Sequence, residues 1–181
     1  MKLRGSAPSP YTRKVRIVAE LKGLSKTIEI EDANTADPND SLRQQNPLGK
    51  IPALVLADGQ VLFDSRVIAE YLDSVGEGQT LFPAGAARWP ALALQALADG
   101  ICDAALLQVY EQRFRPQAQQ NADWTDMQAA KVSRALAQLE ATMDGPADNI
   151  TIGEIALAAA LGYLDFRFAG TWRTTHPRLV D

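Results

Sequence analysis

Every strand-like pattern in this 181-residue chain lies before Gly76, and from Ala91 onward the apolar residues return only at helical spacing. That break in periodicity constrains the fold more than any single motif does. A sheet cannot be shared between the halves, so the first half must bury its own sheet and the second must pack helix on helix. We therefore expect an α/β domain over 1–76, a linker over 77–90 that carries glycines and Pro83, and an all-α domain over 91–181.

In the first half, Val15, Val18, Ala19 and Leu21 mark a helix that Lys22-Gly23 should end. Thr27-Ile28-Glu29-Ile30-Glu31 alternates apolar and polar residues, as a half-buried strand does. The polar stretch 32–46 reads as a surface excursion with a short irregular helix around Ser41 to Gln44. Two apolar runs then flank Asp58-Gly59, a hairpin signal. A helix starting at Asp64 or Ser65 is expected to bury Val67, Ile68, Tyr71, Leu72 and Val75. A right-handed crossover makes the first two strands parallel, and the hairpin adds antiparallel strands.

In the second half, Leu94, Leu97 and Ile101 mark one long helix running toward Arg113, and Val132, Leu136, Leu139 and Met143 mark another. After a short connection at 144–149, Thr151-Ile152-Gly153-Glu154 fits a capping box. The helix it opens is apolar nearly all round and should lie at the centre of its domain. Asn149-Ile150-Thr151 also matches a glycosylation sequon, for which the cap is the better explanation.

Charge excludes some functions. Ten basic and ten acidic residues lie in 1–76, and eight basic and twelve acidic in 77–181. Neither half has the basic excess that binding to nucleic acid or an anionic membrane needs. The start, Met1-Lys2-Leu3-Arg4, lacks a signal-peptide core, and the most apolar stretch, 155–164, is too short to span a bilayer, so a cytoplasmic protein is the default. The single cysteine, Cys102, excludes an internal disulfide and a cysteine-based metal cluster, and its apolar helical setting suits a buried side chain. The single histidine, His176, has no constellation around it.

Ser9-Pro10 has two readings. Serine at an N-cap and proline at the first helical position form an ordinary helix start. The same helix terminus offers free amides and partial positive charge, which can hold a thiolate or another anion beside the Ser9 hydroxyl.

Ser9-Pro10-Tyr11-Thr12-Arg13-Lys14-Val15, Asn46-Pro47-Leu48-Gly49-Lys50-Ile51-Pro52-Ala53-Leu54, and Asp64-Ser65 followed by Ile68-Ala69-Glu70-Tyr71-Leu72 stand in this order at this spacing. Together they resemble the glutathione transferase family. Ala98-Asp99-Gly100-Ile101 and Gly162-Tyr163-Leu164-Asp165-Phe166-Arg167 look like its bacterial YibF-like branch. The resemblance implies a thioredoxin-like N-terminal domain, a helical C-terminal domain and a homodimer with a site near each domain junction.

It also implies roles for particular residues. The Ser9 hydroxyl would donate to the sulfur of glutathione, a co-substrate, where glutaredoxin-like relatives carry a nucleophilic cysteine. Pro52 would be cis and turn the Ile51 backbone toward the cysteinyl unit. Asp64 and Ser65 would hold the ammonium and carboxylate of the γ-glutamyl end, or only cap their helix. Lys50 would face the glycyl carboxylate or remain a solvated loop lysine. Tyr11, Tyr110, Phe114 and Trp172 are candidates for an electrophile pocket by type and position, and Asp99 and Asp103 for the site or the dimer interface. Family members usually continue past 176–180 with a further helix.

The function implied is attack of the glutathione thiolate on a small apolar electrophile, with no metal. The alternatives are glutathione-linked disulfide or peroxide chemistry, which Ser9 could not carry through its own mixed disulfide, and a noncatalytic module that binds glutathione or a protein.

Overall fold

The structure is a computed structural model that describes residues 1–143 and 149–180. The chain divides into two compact units, Met1–Ala91 and Leu92–Asp181. Most of the short connection expected at 144–149 lies outside the described residues.

The first unit is a four-stranded sheet with helices. Strands β1 (Lys2–Gly5), β2 (Glu29–Asp32), β3 (Ala53–Val55) and β4 (Val61–Leu62) lie in the order β2-β1-β3-β4. As expected, β1 and β2 are parallel, and the hairpin strands β3 and β4 are antiparallel to their neighbours. Helices α1 (Pro10–Leu21) and α3 (Ser65–Val75) pack against each other, and the short α2 (Leu42–Gln45) packs on β3.

Register separates the two faces of the sheet. Leu3 pairs with Ile30 on one side and Leu54 on the other, so these three side chains share one face. Arg4 and Ala53 share the opposite face, where Ala53 joins Ala33 and Leu42 in a small cluster flanked by Ile51, Val61 and Phe63. Leu3, Leu54, Val15, Val18, Ile68 and Leu72 are essentially inaccessible and form the main core. Fully burying one such side chain contributes about 1.5–3 kcal/mol.

Two sequence expectations need correction. The second strand begins at Glu29 rather than Thr27, because residues Ser25–Thr27 turn as a 3-10 helix in which the Thr27 hydroxyl donates to the Leu24 carbonyl. It is an edge strand, so its alternation does not bury it: Ile28 is covered, but Ile30 stays 47% exposed. In α3 the buried stripe is Ser65, Ile68, Ala69 and Leu72. Val67 and Val75, expected inside, are each 49% exposed, because the helix turns its small Ser65 and Ala69 inward. Leu21 of α1 is likewise exposed.

The second unit is helical. Helix α4 (Arg88–Phe114) leads into it, and α5 (Ala122–Thr142) and α6 (Ile152–Phe168) follow. The capping box at Thr151 is complete: its side chain accepts from the Gly153 amide, and Glu154 accepts from the Thr151 amide. Helix α6 is buried over Ile152, Ile155, Ala156, Leu157, Ala159, Ala160, Tyr163 and Leu164, as its apolar sequence predicts.

The membrane reading is corrected in one respect. The helical stretch Gly85–Phe114 is long and apolar enough to cross a bilayer by length and composition, with a mean hydropathy of 1.4 in its most apolar window. Gln95, Asp99, Gln108 and Glu111 are nevertheless buried along it, and Glu111 accepts from the Asn121 amide at 2.9 Å and pairs with Arg115 at 3.0 Å. Polar groups buried and hydrogen-bonded as Gln108 and Glu111 are belong to the core of a helical domain.

Candidate functional site

The sheet brings three expected site segments to one end. Arg4 pairs with Ala53, so the C-terminal end of β1, from which the chain runs to Ser9, lies beside Pro52. Leu54 pairs with Leu62, so the residues after β4, Phe63 and Asp64, return toward the same end. The C-terminal end of β1, the start of β3 and the exit from β4 are thus adjacent, and α1 and α3 both begin there.

Ser9 is the N-cap of α1. Its Oγ accepts from the Thr12 amide at 3.2 Å, its carbonyl accepts from Arg13 at 3.0 Å, and Pro10 occupies the first helical position. This bond uses an oxygen lone pair. Ser9's hydroxyl proton has no acceptor among the described residues, so capping and donation do not compete. No acidic residue lies in the first turn of α1 to offset the partial positive charge of its amides.

The second segment is held from below. Buried Asn46 donates through Nδ2 to the Lys50 carbonyl at 2.8 Å and accepts from the Leu48 amide at 3.0 Å, which fixes the turn entering Ile51-Pro52. The Ile51-Pro52 peptide is cis, as the family resemblance implies. Pro52 is buried, Ile51 is half-buried and Lys50 is exposed. In the third segment, Asp64 caps α3 through Oδ1, which accepts from the Arg66 amide at 2.9 Å, and Ser65 behind it is buried. The Phe63-Asp64 peptide is also cis.

Sequence reasoning missed the buried guanidinium of Arg4. It donates to Ser41 Oγ at 2.9 Å and Gln45 Oε1 at 2.6 Å, and it pairs with Asp40 at 2.8 Å. Its Nε sits 3.3 Å from Glu31 without hydrogen-bond geometry. Arg4 thereby ties the polar excursion 32–46 to β1, next to the loop that carries Ser9. The Leu42 and Asn34 amides, and then Arg4, hold the Asp40 carboxyl below its ordinary range. The only advance signal was an arginine inside a strand pattern.

The aromatic candidates differ in setting. Tyr11 is half-buried in the first turn of α1. Tyr110 and Phe114 meet edge to face, 5.0 Å between centroids at 71°, near the end of α4, where Phe114 is 58% exposed. Trp172 is a core residue instead: it is buried, and its Nε1 donates to Asp165 at 2.9 Å. Of the two aspartates, Asp99 is buried and Asp103 exposed. Burial raises the buried Tyr163 phenol above its ordinary range, against the opposing charge of Arg167.

Residues 8–75 match the glutathione S-transferase N-terminal domain and residues 122–181 the glutathione S-transferase C-terminal domain. Over 99% of its length the chain is 40% identical to the uncharacterized GST-like protein YibF of Escherichia coli, 90% of which is covered. The chain belongs to the glutathione S-transferase family. Among solved members of the family, one from Pseudomonas fluorescens with bound glutathione shares 43% identity and a TM-score of 0.91, covering 99% of this chain and 90% of that one. A glutathione S-transferase from Methylobacillus flagellatus with glutathione bound shares 37% identity and a TM-score of 0.91, with the same coverage.

Proposed function

We propose that the protein binds glutathione at the N-terminus of α1 and activates its thiol for attack on a small apolar electrophile. The observation that carries this reading is the Ser9 hydroxyl, whose oxygen caps the helix while its proton is left to donate. Asp64 and Ser65 at the start of α3 suit the zwitterionic γ-glutamyl end, Ile51 offers its backbone to the cysteinyl unit, Pro52 shapes that approach, and Lys50 faces the glycyl carboxylate. Tyr11, in the first turn of α1, is the candidate within this unit to face the electrophile. The glutathione-bound relatives support the choice of ligand.

The size of the effect limits what Ser9 can do. Lowering a thiol pKa from about 8.5 to about 6.5 raises the thiolate at pH 7 from about 3% to about 76%. A Brønsted slope of about 0.45 removes nearly eightfold of that roughly twenty-five-fold gain, because a less basic thiolate is a weaker nucleophile. Net activation is about threefold, so most of the rate must come from holding the electrophile against the sulfur.

Glutathione titration by calorimetry, with the ultraviolet thiolate signal followed across pH, tests the reading. We expect binding with a depressed thiol pKa that Ser9→Ala restores. Binding with an unshifted thiol would make the protein a carrier, and no binding would remove the assignment.

A further inference from the structure

The loop that presents Lys50, Ile51 and Pro52 is reached through the polar excursion 32–46, and that excursion has little apolar area with which to fix its own position. Only Ala33, Leu42 and Asn46 are buried along it. Helix α2 is a single turn, too short to be stable by itself. Arg43 ties the excursion only to itself, donating to the Thr35 carbonyl at 3.0 Å and to that of Asp37. The polar anchor to the sheet is Arg4, whose buried guanidinium reaches Asp40 at 2.8 Å, Ser41 Oγ at 2.9 Å and Gln45 Oε1 at 2.6 Å.

From Gln45 the path continues without a gap. Asn46 follows it, donates its amide to the Leu42 carbonyl at 2.7 Å to close α2, and donates through Nδ2 to the Lys50 carbonyl at 2.8 Å. A chain of bonds therefore runs from β1 to the peptide that precedes the Ile51-Pro52 bond. Stability alone does not call for an arginine here, because a buried ion pair holds a fold no better than apolar side chains of similar volume. What a guanidinium adds is a rigid fork that can fix three acceptors on separate residues at once. We infer that Arg4 is a positioning residue for the glycyl end of glutathione, acting through α2 and Asn46 on Lys50 and Ile51. It thereby sets the preference for the tripeptide over γ-glutamylcysteine, which lacks the glycyl unit. This inference rests on the proposed glutathione site.

Calorimetric titration with glutathione and with γ-glutamylcysteine tests it. The wild type binds glutathione at least about tenfold more tightly than the dipeptide, the gain expected from one charge-assisted contact. Arg4→Met removes most of that preference. Arg4→Lys keeps a cation for Asp40 without the fork and restores part of it. The double variant Ser41→Ala/Gln45→Ala retains the Arg4–Asp40 pair, so no buried charge is left alone, and it lowers the preference about threefold. Two ligands weakened by the same factor would mark a general loss of structure and overturn the inference, as would a preference that survives all three variants. A wild type that binds both ligands equally would overturn it and leave glutathione binding standing. A wild type that binds neither would overturn the proposed function and this inference with it.

Discussion

Ser9 combines two demands that looked like rivals in the sequence, because a hydroxyl can accept at one lone pair and donate its proton elsewhere. Substitution separates them. Ser9→Asp keeps an N-cap acceptor and adds a negative charge at the helix start, so thermal stability should stay within about 0.5 kcal/mol, whereas Ser9→Ala should lose about 1 kcal/mol. Both should lose thiol activation, as read by the ultraviolet thiolate signal with glutathione. If Ser9→Asp retained it, the donor role would be wrong. Two other carboxylates set the acid limit. The Leu42 and Asn34 amides depress Asp40, while burial of Asp73 raises its pKa but is outweighed by the Leu81 amide, Lys22 and Thr80. Both are depressed below the ordinary aspartate value of 3.8, so their stabilisation is present above that value and lost as pH falls through the folded pKa. The melting temperature should be insensitive to these groups above about pH 5 and fall steeply below about pH 4. In Asp73→Asn it should be lower at neutral pH and fall less steeply in acid.

Elements meet where a side chain would not fit. A Cβ on Gly5 would lie 2.6 Å from Thr12 Cγ2, so the end of β1 and the first turn of α1 touch through a hydrogen atom. Gly5→Ala should push them apart, cost about 1–3 kcal/mol in denaturant unfolding and weaken glutathione binding, because the displaced turn carries Ser9. Thr12→Ala removes the obstructing methyl and leaves the Thr12 amide to Ser9. The double variant should therefore recover much of the loss, and a double-mutant cycle with no coupling would exclude the contact as the cause. A similar approach joins the other ends of the two helices: a Cβ on Gly76 would come 2.5 Å from the Lys22 Cβ, while Lys22 Nζ donates to the Gln79 carbonyl at 2.9 Å and pairs with Asp73 at 3.1 Å. Sequence reading saw Gly76 only as the end of the first domain.

For the molecule as a whole, α3 leaves an apolar stripe in view: Val67 and Val75 are 49% exposed, with half-buried Tyr71 between them. We expect this stripe to be covered in a homodimer, and sedimentation of Val67→Glu/Val75→Glu at micromolar concentration should show monomer where the wild type shows dimer. A wild-type monomer would leave the stripe without a partner of its own kind. Sequence alone determined what depends on local chemistry: where α1, α3 and α6 begin, the Asp58-Gly59 hairpin, and the change from sheet to helix. Caps, turns and periodicity act over a few residues, so the residues that decide them are adjacent in the chain. It could not determine which side of an amphipathic element faces inward, which is why Val67 and Val75 were misplaced and Ile30 was expected to be covered. Nor could it show that Arg4 would reach Asp40, Ser41 and Gln45 from more than thirty residues away, or that Asn46 would hold the Lys50 carbonyl beneath the cis peptide. Those outcomes depend on the register of strands and the packing of helices, and only the tertiary structure brings such distant groups within hydrogen-bond reach.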